Sequence, residues 1–204
     1  MKKFELTNEF VTNMFGTKLF RIRALVEFGD VEAGELGGYV EKESNLGHDD
    51  NAWVYDNAWV YGDAQVSGDA LVYDNARVYG DAQVSGDARV YDNAWVYGDA
   101  QVSGDALVYG NARVYGNAWV YGNGDYAYAH GFGSVNRTTT FFRLKDGGVG
   151  VRCGCFYGTL AQFRDKIRET HGESAIAEEY LDLAALMEKR FRRTGNEQKT
   201  EEES

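Results

Sequence analysis

Basic residues in the C-terminal third of the chain have the types and spacing of an anion-binding site. The chain carries a formal net charge of −11, yet arginine and lysine concentrate between residues 137 and 166. Thr159 and Gln162 form a capping-box pattern that predicts a helix start, and helix N-termini bind anions such as phosphate. The pattern predicts a small anionic ligand held by Arg137, Arg143, Arg152, Tyr157 and Thr159.

A structural role for these cations, with Arg164 and Lys166 among them, stays open at this point. Ion pairs with Asp and Glu of the same module would neutralise them at under about 1 kcal/mol per exposed pair. The only cysteines, Cys153 and Cys155, lack further cysteines or paired histidines and are a weak metal signal. The sequence therefore predicts no metal site and interprets both as small buried hydrophobes.

The positions of the histidines indicate whether the chain has a candidate general base for catalysis. The three histidines are His48, His130 and His171, and only His130 lies beside the end of the repeats described below. It is the sole candidate for a general base, and a lone histidine among Gly, Ala and Tyr is more often structural. No GxSxG, HExxH or P-loop pattern is present. The sequence thus favours binding over catalysis.

A six-residue repeat occupies the middle of the chain, from residue 51 to 123. Twelve hexads, beginning with AWVYDN at Ala52, follow one another without insertion. This period excludes an amphipathic helix, whose apolar residues recur near every 3.6 positions. The hexad AQVSGD occurs at Ala64, Ala82 and Ala100, so three hexads form one coil of a β-solenoid. Ala and Val of every hexad are predicted to fill its core, and the residues flanking each Val to point outward.

The outward residues form ladders on three faces. Face one carries Trp53, Leu71, Arg89 and Leu107 beside Tyr55, Tyr73, Tyr91 and Tyr109, and face three carries Gln65, Gln83, Gln101 and Trp119 beside Ser67, Ser85, Ser103 and Tyr121. Face two is predicted to be a subunit interface, because Tyr, Trp and Arg are enriched in interfaces. Its residues are Trp59, Tyr61, Arg77, Tyr79, Trp95, Tyr97, Arg113 and Tyr115. The alternative is that stacked rings only stabilise the ladders.

Both ends depart from the repeat. Residues 1–50 are predicted to form a strand and an irregular capping coil, with Val40 and Leu46 in the register of the repeat alanines. Residues 124–193 are predicted to form a ββαα module, with strands at 138–144 and 149–157. Residues 194–204 are predicted to be a disordered acidic tail.

Two sets of motifs resemble known protein families. The run Val66–Leu71, VSGDAL, resembles the left-handed β-helix family of hexapeptide repeats. The segments IRA at Ile22, LGGYVEKESNL at Leu36 and AWVY at Ala52 are similar to hexapeptide-repeat proteins of bacteria and bacteriophages, some labelled as transferases. The resemblance implies a mainly β fold, a left-handed parallel β-helix with the small C-terminal module, and a homotrimer. It also implies an acyl-CoA cofactor in the event that His130 serves an acyltransferase.

The net charge and the lengths of the apolar runs limit the classes of partner that the chain is expected to bind. The net charge of −11 disfavours DNA, RNA and anionic membranes, and no apolar run approaches the roughly 20 residues that span a bilayer. The N-terminus lacks the apolar core of a secretory signal, so a cytoplasmic protein is expected. The resulting prediction is a non-catalytic oligomeric binding protein, without cofactor, that sequesters a small anionic metabolite or nucleotide. The alternatives are an acyltransferase using His130 and a structural solenoid or assembly scaffold.

Overall fold

The computed structural model describes residues 2–133 and 135–202. Its central part contains twelve short parallel strands, one for each hexad. They are β4 (Trp53–Val54), β5 (Trp59–Val60), β6 (Gln65–Val66), β7 (Leu71–Val72), β8 (Arg77–Gly80), β9 (Gln83–Val84), β10 (Arg89–Val90), β11 (Trp95–Gly98), β12 (Gln101–Val102), β13 (Leu107–Val108), β14 (Arg113–Tyr115) and β15 (Trp119–Val120).

These strands build the three predicted faces. Face one is the sheet β4-β7-β10-β13, face two contains β5-β8-β11-β14, and face three is β6-β9-β12-β15. Every partner lies three hexads further along the chain, as Trp53 opposite Leu71 and Gln65 opposite Gln83 show. The prediction of a mainly β fold with a parallel β-helix and two C-terminal helices is confirmed, and the solenoid has about 5 turns. The left-handed winding rests on the resemblance and stays a prediction.

The solenoid core consists of stacked alanine and valine side chains. All twelve alanines from Ala52 to Ala118 and all twelve valines from Val54 to Val120 are buried. Between strands the chain turns through left-handed backbone, as at Gly80 with a φ of 76°. A Cβ added to Gly80 would lie 3.0 Å from the backbone nitrogen of Gly98 in the next coil. Glycine therefore permits both the turn and the close stacking.

The N-terminal end is a hairpin joined to face two. Its strands are β1 (Phe4–Thr12), β2 (Lys18–Ala24) and β3 (Leu36–Val40), followed by a 3-10 helix at Glu43–Asn45. β1 and β2 are antiparallel, and β3 pairs in parallel with β5. The sheet order β1-β2-β3-β5-β8-β11-β14 thus continues face two beyond the coils.

The register predicted for this end was wrong. Val40 pairs with Val60, and Leu46 pairs with Val66. Both therefore occupy the valine positions of the repeat, not the alanine positions. The physical reason is that the step from Leu46 to Val54 is longer than one hexad. The extra residues are accommodated in the bend before the first regular strand.

The C-terminal module contains four antiparallel strands and two helices. The elements are β16 (Tyr126–Phe132), β17 (Arg137–Arg143), β18 (Val149–Cys153), β19 (Phe156–Thr159), α1 (Leu160–His171) and α2 (Ala175–Glu202). The two predicted helices are confirmed, but the module contains four strands where the sequence predicted two. Gly154, with a φ of 58°, splits the predicted strand 149–157 into β18 and β19. β16 was not predicted, because small residues alternate with the larger ones in Tyr126–Gly131 and the segment lacks a clear apolar strand pattern.

The residues from 194 onward continue α2 to Glu202, where the sequence predicted a disordered tail. Glu203 and Ser204 lie outside the described residues, so that part of the prediction is not addressed. β17 joins the module to the solenoid, because its side chains alternate between two cores. Phe142 packs into the solenoid core and Phe141 packs into the core beneath the helices. In the described part of the chain no helix is both long and apolar enough to cross a bilayer.

Candidate functional surfaces

Face two carries a column in which tryptophan and arginine alternate. The guanidinium carbon of Arg77 lies 4.4 Å from the ring centroid of Trp59 and 5.2 Å from that of Trp95. Arg113 lies 4.7 Å from the same Trp95 ring on its other side. The three-hexad register places each cation beside an indole of the adjacent coil, which is the arrangement of a cation–π interaction. The column is a continuous, preordered surface of the residue types found in interfaces.

A tyrosine column runs parallel to it. Tyr61 and Tyr79 stack with centroids 4.9 Å apart and planes 4° from parallel, and Tyr79 stacks on Tyr97 at 4.9 Å. Tyr97 and Tyr115 follow at 4.5 Å. Burial, reinforced by Tyr97 and Tyr61, raises the pKa of Tyr79 well above its ordinary value. Tyr79 therefore remains a neutral phenol at physiological pH.

The predicted interface residues thus lie on one surface, but face one differs from the prediction at its first position. Trp53 is fully buried, because Phe4 and Phe28 of the N-terminal segment pack against its indole at 6.2 and 5.3 Å. This covered end leaves face one with Leu71, Arg89 and Leu107 as its outward column. Face two retains its tryptophans half-exposed.

Arg143, one of the predicted ligand residues, is fully engaged inside the protein. Its Nε donates to Asp125 Oδ1 at 3.0 Å, and its Nη2 donates to the carbonyl oxygen of Phe191 at 2.9 Å and to Thr194 Oγ1 at 3.0 Å. The side chain is 16% exposed, and that of Asp125 is 2% exposed. Arg143 therefore joins the sheet of the module to α2, and its Nε and Nη2 donors are used within the protein.

Arg152 and Tyr157 lie together against the last coil. Tyr157 donates its hydroxyl hydrogen to Asn117 Oδ1 at 2.9 Å, and its ring meets the edge of Tyr115 at 4.7 Å. Arg152 Nη1 donates to the carbonyl oxygen of Phe156 at 3.2 Å, and its guanidinium carbon is 5.8 Å from the Tyr115 ring. Arg152 Nε is buried without a hydrogen-bond partner among the described residues. Tyr157 thus ends the tyrosine column of face two.

Thr159 begins α1 as predicted, and its capping box is complete. Its Oγ1 accepts from the backbone of Gln162 at 3.3 Å, and the Gln162 side chain accepts from the backbone of Thr159 at 2.8 Å. The adjacent open groove, about 470 Å³ in volume, contains two carboxylates and one ammonium group. Its charge does not favour an anion. The groove is lined by Phe156, Tyr157, Gln162, Asp165, Lys166 and Glu169.

The remaining predicted cations are also dispersed. Arg137 begins β17 and its guanidinium lies against Gly154. Arg164 pairs with Glu188 of α2 at 2.6 Å, and Lys166 pairs with Glu169 of its own helix at 2.9 Å. The five predicted ligand residues therefore do not form one site, and within the described chain only Arg152 and Tyr157 are brought together.

His130, the candidate general base, lies on the exposed surface of β16. Its Nδ1 is 2.8 Å from Thr138 Oγ1, its one side-chain hydrogen-bond partner in the described part of the chain. Cys153 accepts a hydrogen bond from Thr139 Oγ1 at 3.2 Å, while Cys155 is exposed. Among residues 2–133 and 135–202, no group of three or more His, Cys, Asp or Glu residues is placed to hold a metal ion. This geometry gives no support to acyl transfer at His130.

The sequence predicted Trp119 and Tyr121 on face three but no role for them, and it did not predict the strand that carries Tyr126 and Tyr128. Trp119 and Tyr121, on face three, are 43% and 64% exposed. Tyr126 and Tyr128 of β16 meet the edge of Tyr109 at 6.5 and 5.8 Å and so end the tyrosine column of face one. The signal available was the change from AQVSGD to AWVYGN and the YAY alternation that follows it.

This architecture defines a β-solenoid repeat protein. A family model described as the YdcK Beta solenoid repeat matches residues 64–80, 82–98, 100–112 and 108–122. The matched segments lie within the coils and leave both end modules outside, so the match concerns the repeat and does not confirm membership of the hexapeptide transferases. No curated protein matches the chain.

Proposed function

We propose that the chain is a non-catalytic assembly scaffold, whose copies join side by side through face two. The observation that carries the proposal is the alternating Trp59–Arg77–Trp95–Arg113 column, with cation–π distances of 4.4 to 5.2 Å along it. Burying such preordered rings costs little side-chain entropy, because the rings are already held by their neighbours. A homotrimer, as the resemblance implies, is the expected assembly.

The ends of the solenoid support lateral association over end-to-end stacking. At the C-terminal end, Thr140 Oγ1 accepts from the backbone of Arg113 at 3.0 Å, and Leu144 forms a bridge with Ala118. At the N-terminal end, the backbone nitrogen of Tyr39 donates to the carbonyl oxygen of Ala58 at 2.9 Å. Covered edges of this kind prevent strand addition along the axis. The side faces therefore remain as the surfaces available to further copies.

Light scattering coupled to size exclusion tests this scaffold. The wild type should run as a multiple of the chain mass, most simply three chains, at micromolar concentration. Arg77→Glu combined with Arg113→Glu should release monomers, since the double change removes both cations of the column and places carboxylates against indole faces. Arg89→Glu, at the equivalent hexad position on face one, is the matched control and should leave the mass unchanged.

A monomeric wild type would contradict the scaffold, and the aromatic columns would then serve only to stabilise the coils. Dissociation by the face-one control as readily as by the face-two variant would also contradict it. Thermal melts of all three proteins separate dissociation from unfolding.

Sequestration of a small anionic metabolite or nucleotide is a second candidate function. The buried, unpartnered Nε of Arg152 beside the ring of Tyr115 favours it, because a buried donor without an acceptor is costly. Calorimetry of a nucleotide and acyl-CoA panel tests it, with Arg152→Ala expected to abolish binding. Arg143→Ala is no substitute, since that change would leave Asp125 without its buried guanidinium and lower stability. Failure of the whole panel to bind the wild type eliminates this candidate.

A further inference from the structure

Face three differs chemically from the other two faces. Its first three coils present glutamine and serine where the other faces carry Trp, Leu or Arg beside Tyr. An amide supplies two donors and one acceptor, and a hydroxyl supplies both functions. None of these six side chains makes a hydrogen bond within the described structure, and all six are exposed or half-exposed, so their donors and acceptors are accessible to a partner. They are Gln65, Gln83, Gln101, Ser67, Ser85 and Ser103.

The fourth coil of the same face ends this polar array with two rings. Trp119 replaces the glutamine and Tyr121 replaces the serine, and they are 43% and 64% exposed. The other tyrosines in the coils stack on one another or contact a neighbouring ring, as Tyr73 does on Tyr91 at 4.9 Å. Neither Trp119 nor Tyr121 has a ring contact within the described residues. Two adjacent rings held open to solvent in this way form a stacking platform.

Acidic columns flank face three on both sides. Asp81 and Asp99 follow one edge, Asp87 and Asp105 follow the other, and all four are exposed. The face itself carries no arginine or lysine in the coils. A nucleic acid, a nucleotide or an acidic polysaccharide would meet a negative potential here. These columns disfavour an anion, and a cation would pair with the aspartates at the edges and not with the amides and hydroxyls between them. The groups on the face itself fit an uncharged partner rich in groups that both donate and accept hydrogen bonds.

We propose that face three binds an uncharged glycan chain lying along the solenoid axis. The apolar C–H face of a sugar ring stacks on Trp119 and Tyr121, and the hydroxyls of the following sugars bond to the glutamine and serine columns. The columns repeat with the coil, at about the 4.9 Å seen between stacked rings, so a polymer with regularly spaced hydroxyls meets the same pair of groups on each coil. Several weak exposed bonds then act together on one ligand.

Affinity gel electrophoresis and calorimetry with defined sugars test the proposal. The panel is cellohexaose, xylohexaose, maltohexaose and N-acetylchitohexaose, with oligogalacturonate as the anionic control. At least one neutral hexasaccharide should bind the wild type, and oligogalacturonate should not. Trp119→Ala should lower the association constant at least roughly tenfold, as loss of a central aromatic contact does, whereas Trp119→Phe should retain much of the binding. Leu107→Ala, at the equivalent strand position on face one, should bind like the wild type.

The proposal is overturned if no neutral glycan of the panel binds the wild type, or if Trp119→Ala binds as tightly as the wild type. A lower assembly mass for Trp119→Ala would assign face three to a subunit interface, which also overturns it. Because Trp119 is 43% exposed and lies outside the core, its replacement should leave the protein folded, which a thermal melt checks. Tyr121→Ala provides the same test on the second ring, should the first variant fail to fold.

Discussion

Lys3 shows how one residue fastens the N-terminal end to the solenoid. It is 3% exposed, and its Nζ donates to the carbonyl oxygens of Asp50 at 2.6 Å and Ala52 at 2.9 Å. The same ammonium lies 4.6 Å from the Phe28 ring centroid. Burial lowers the pKa of Lys3 from 10.5 to about 8, because desolvation disfavours the charged form. The contribution of Lys3 to the free energy of unfolding therefore depends on pH in the alkaline range.

The sign of this sensitivity follows from proton binding. Between about pH 8 and pH 10.5 the unfolded chain holds the Lys3 proton and the folded chain releases it, so the free energy of unfolding rises with pH. Below about pH 8 both states are protonated and the dependence vanishes. Chemical denaturation should show the stability difference between the wild type and Lys3→Met shifting in favour of the wild type from about pH 7.5 to about pH 9.5.

The upper limit of that experiment is set by the tyrosine columns. A phenol with a raised pKa, such as Tyr79, makes stability fall as pH rises above the ordinary tyrosine pKa of 10.0. Measurements below pH 10 therefore isolate Lys3. A pH-independent difference between the two proteins would show that the Lys3 pKa is not lowered in the folded state.

At the scale of the elements, each strand is so short that its stability comes from the column it joins. Val84 belongs to β9, is fully buried, and pairs with Val66 and Val102 in the adjacent coils. Val84→Asp would bury a carboxylate among valines and alanines and should cost several kcal/mol. The melting temperature should fall steeply.

Ser85→Asp is the matched control for this prediction. The residue follows Val84 and points outward on face three, so the same carboxylate stays hydrated and the change should stay within about 0.5 kcal/mol. Equal melting temperatures for the two variants would show that the inward and outward assignments are wrong. Circular dichroism during heating provides the measurement.

The regular elements could be predicted from the sequence because one residue type recurs at each position. Ala at every sixth position and the return of AQVSGD after three hexads define the strands, the coil length and the contents of each face. At the N-terminal end this logic failed, because the long step from Leu46 to Val54 moves the register from the alanine to the valine positions. The residues near Leu46 carry no sequence signal for this register shift, which becomes visible only when the pairing partner is known.

For the molecule as a whole, the sequence predicted a cluster of cations that folding disperses. Proximity along the chain between residues 137 and 166 suggested one site, but alternation along strands sends side chains to opposite faces of the sheet. Arg143 thus reaches Asp125 and α2, whereas Arg152 reaches the last coil. The residues predicted to line face two, by contrast, do lie on one surface, because a repeat specifies its own geometry; that this surface is an interface stays a prediction.

The end modules contact the first and last coils, and the coils between them share one core. Because each coil of three hexads contacts mainly its neighbours, a chain with one coil more or fewer would keep the same contacts along the core. Each coil added or removed would change the length by about the 4.9 Å between stacked rings and leave both terminal modules on unchanged neighbours. The length of this architecture can thus be changed in discrete steps, and each added coil extends the same three faces.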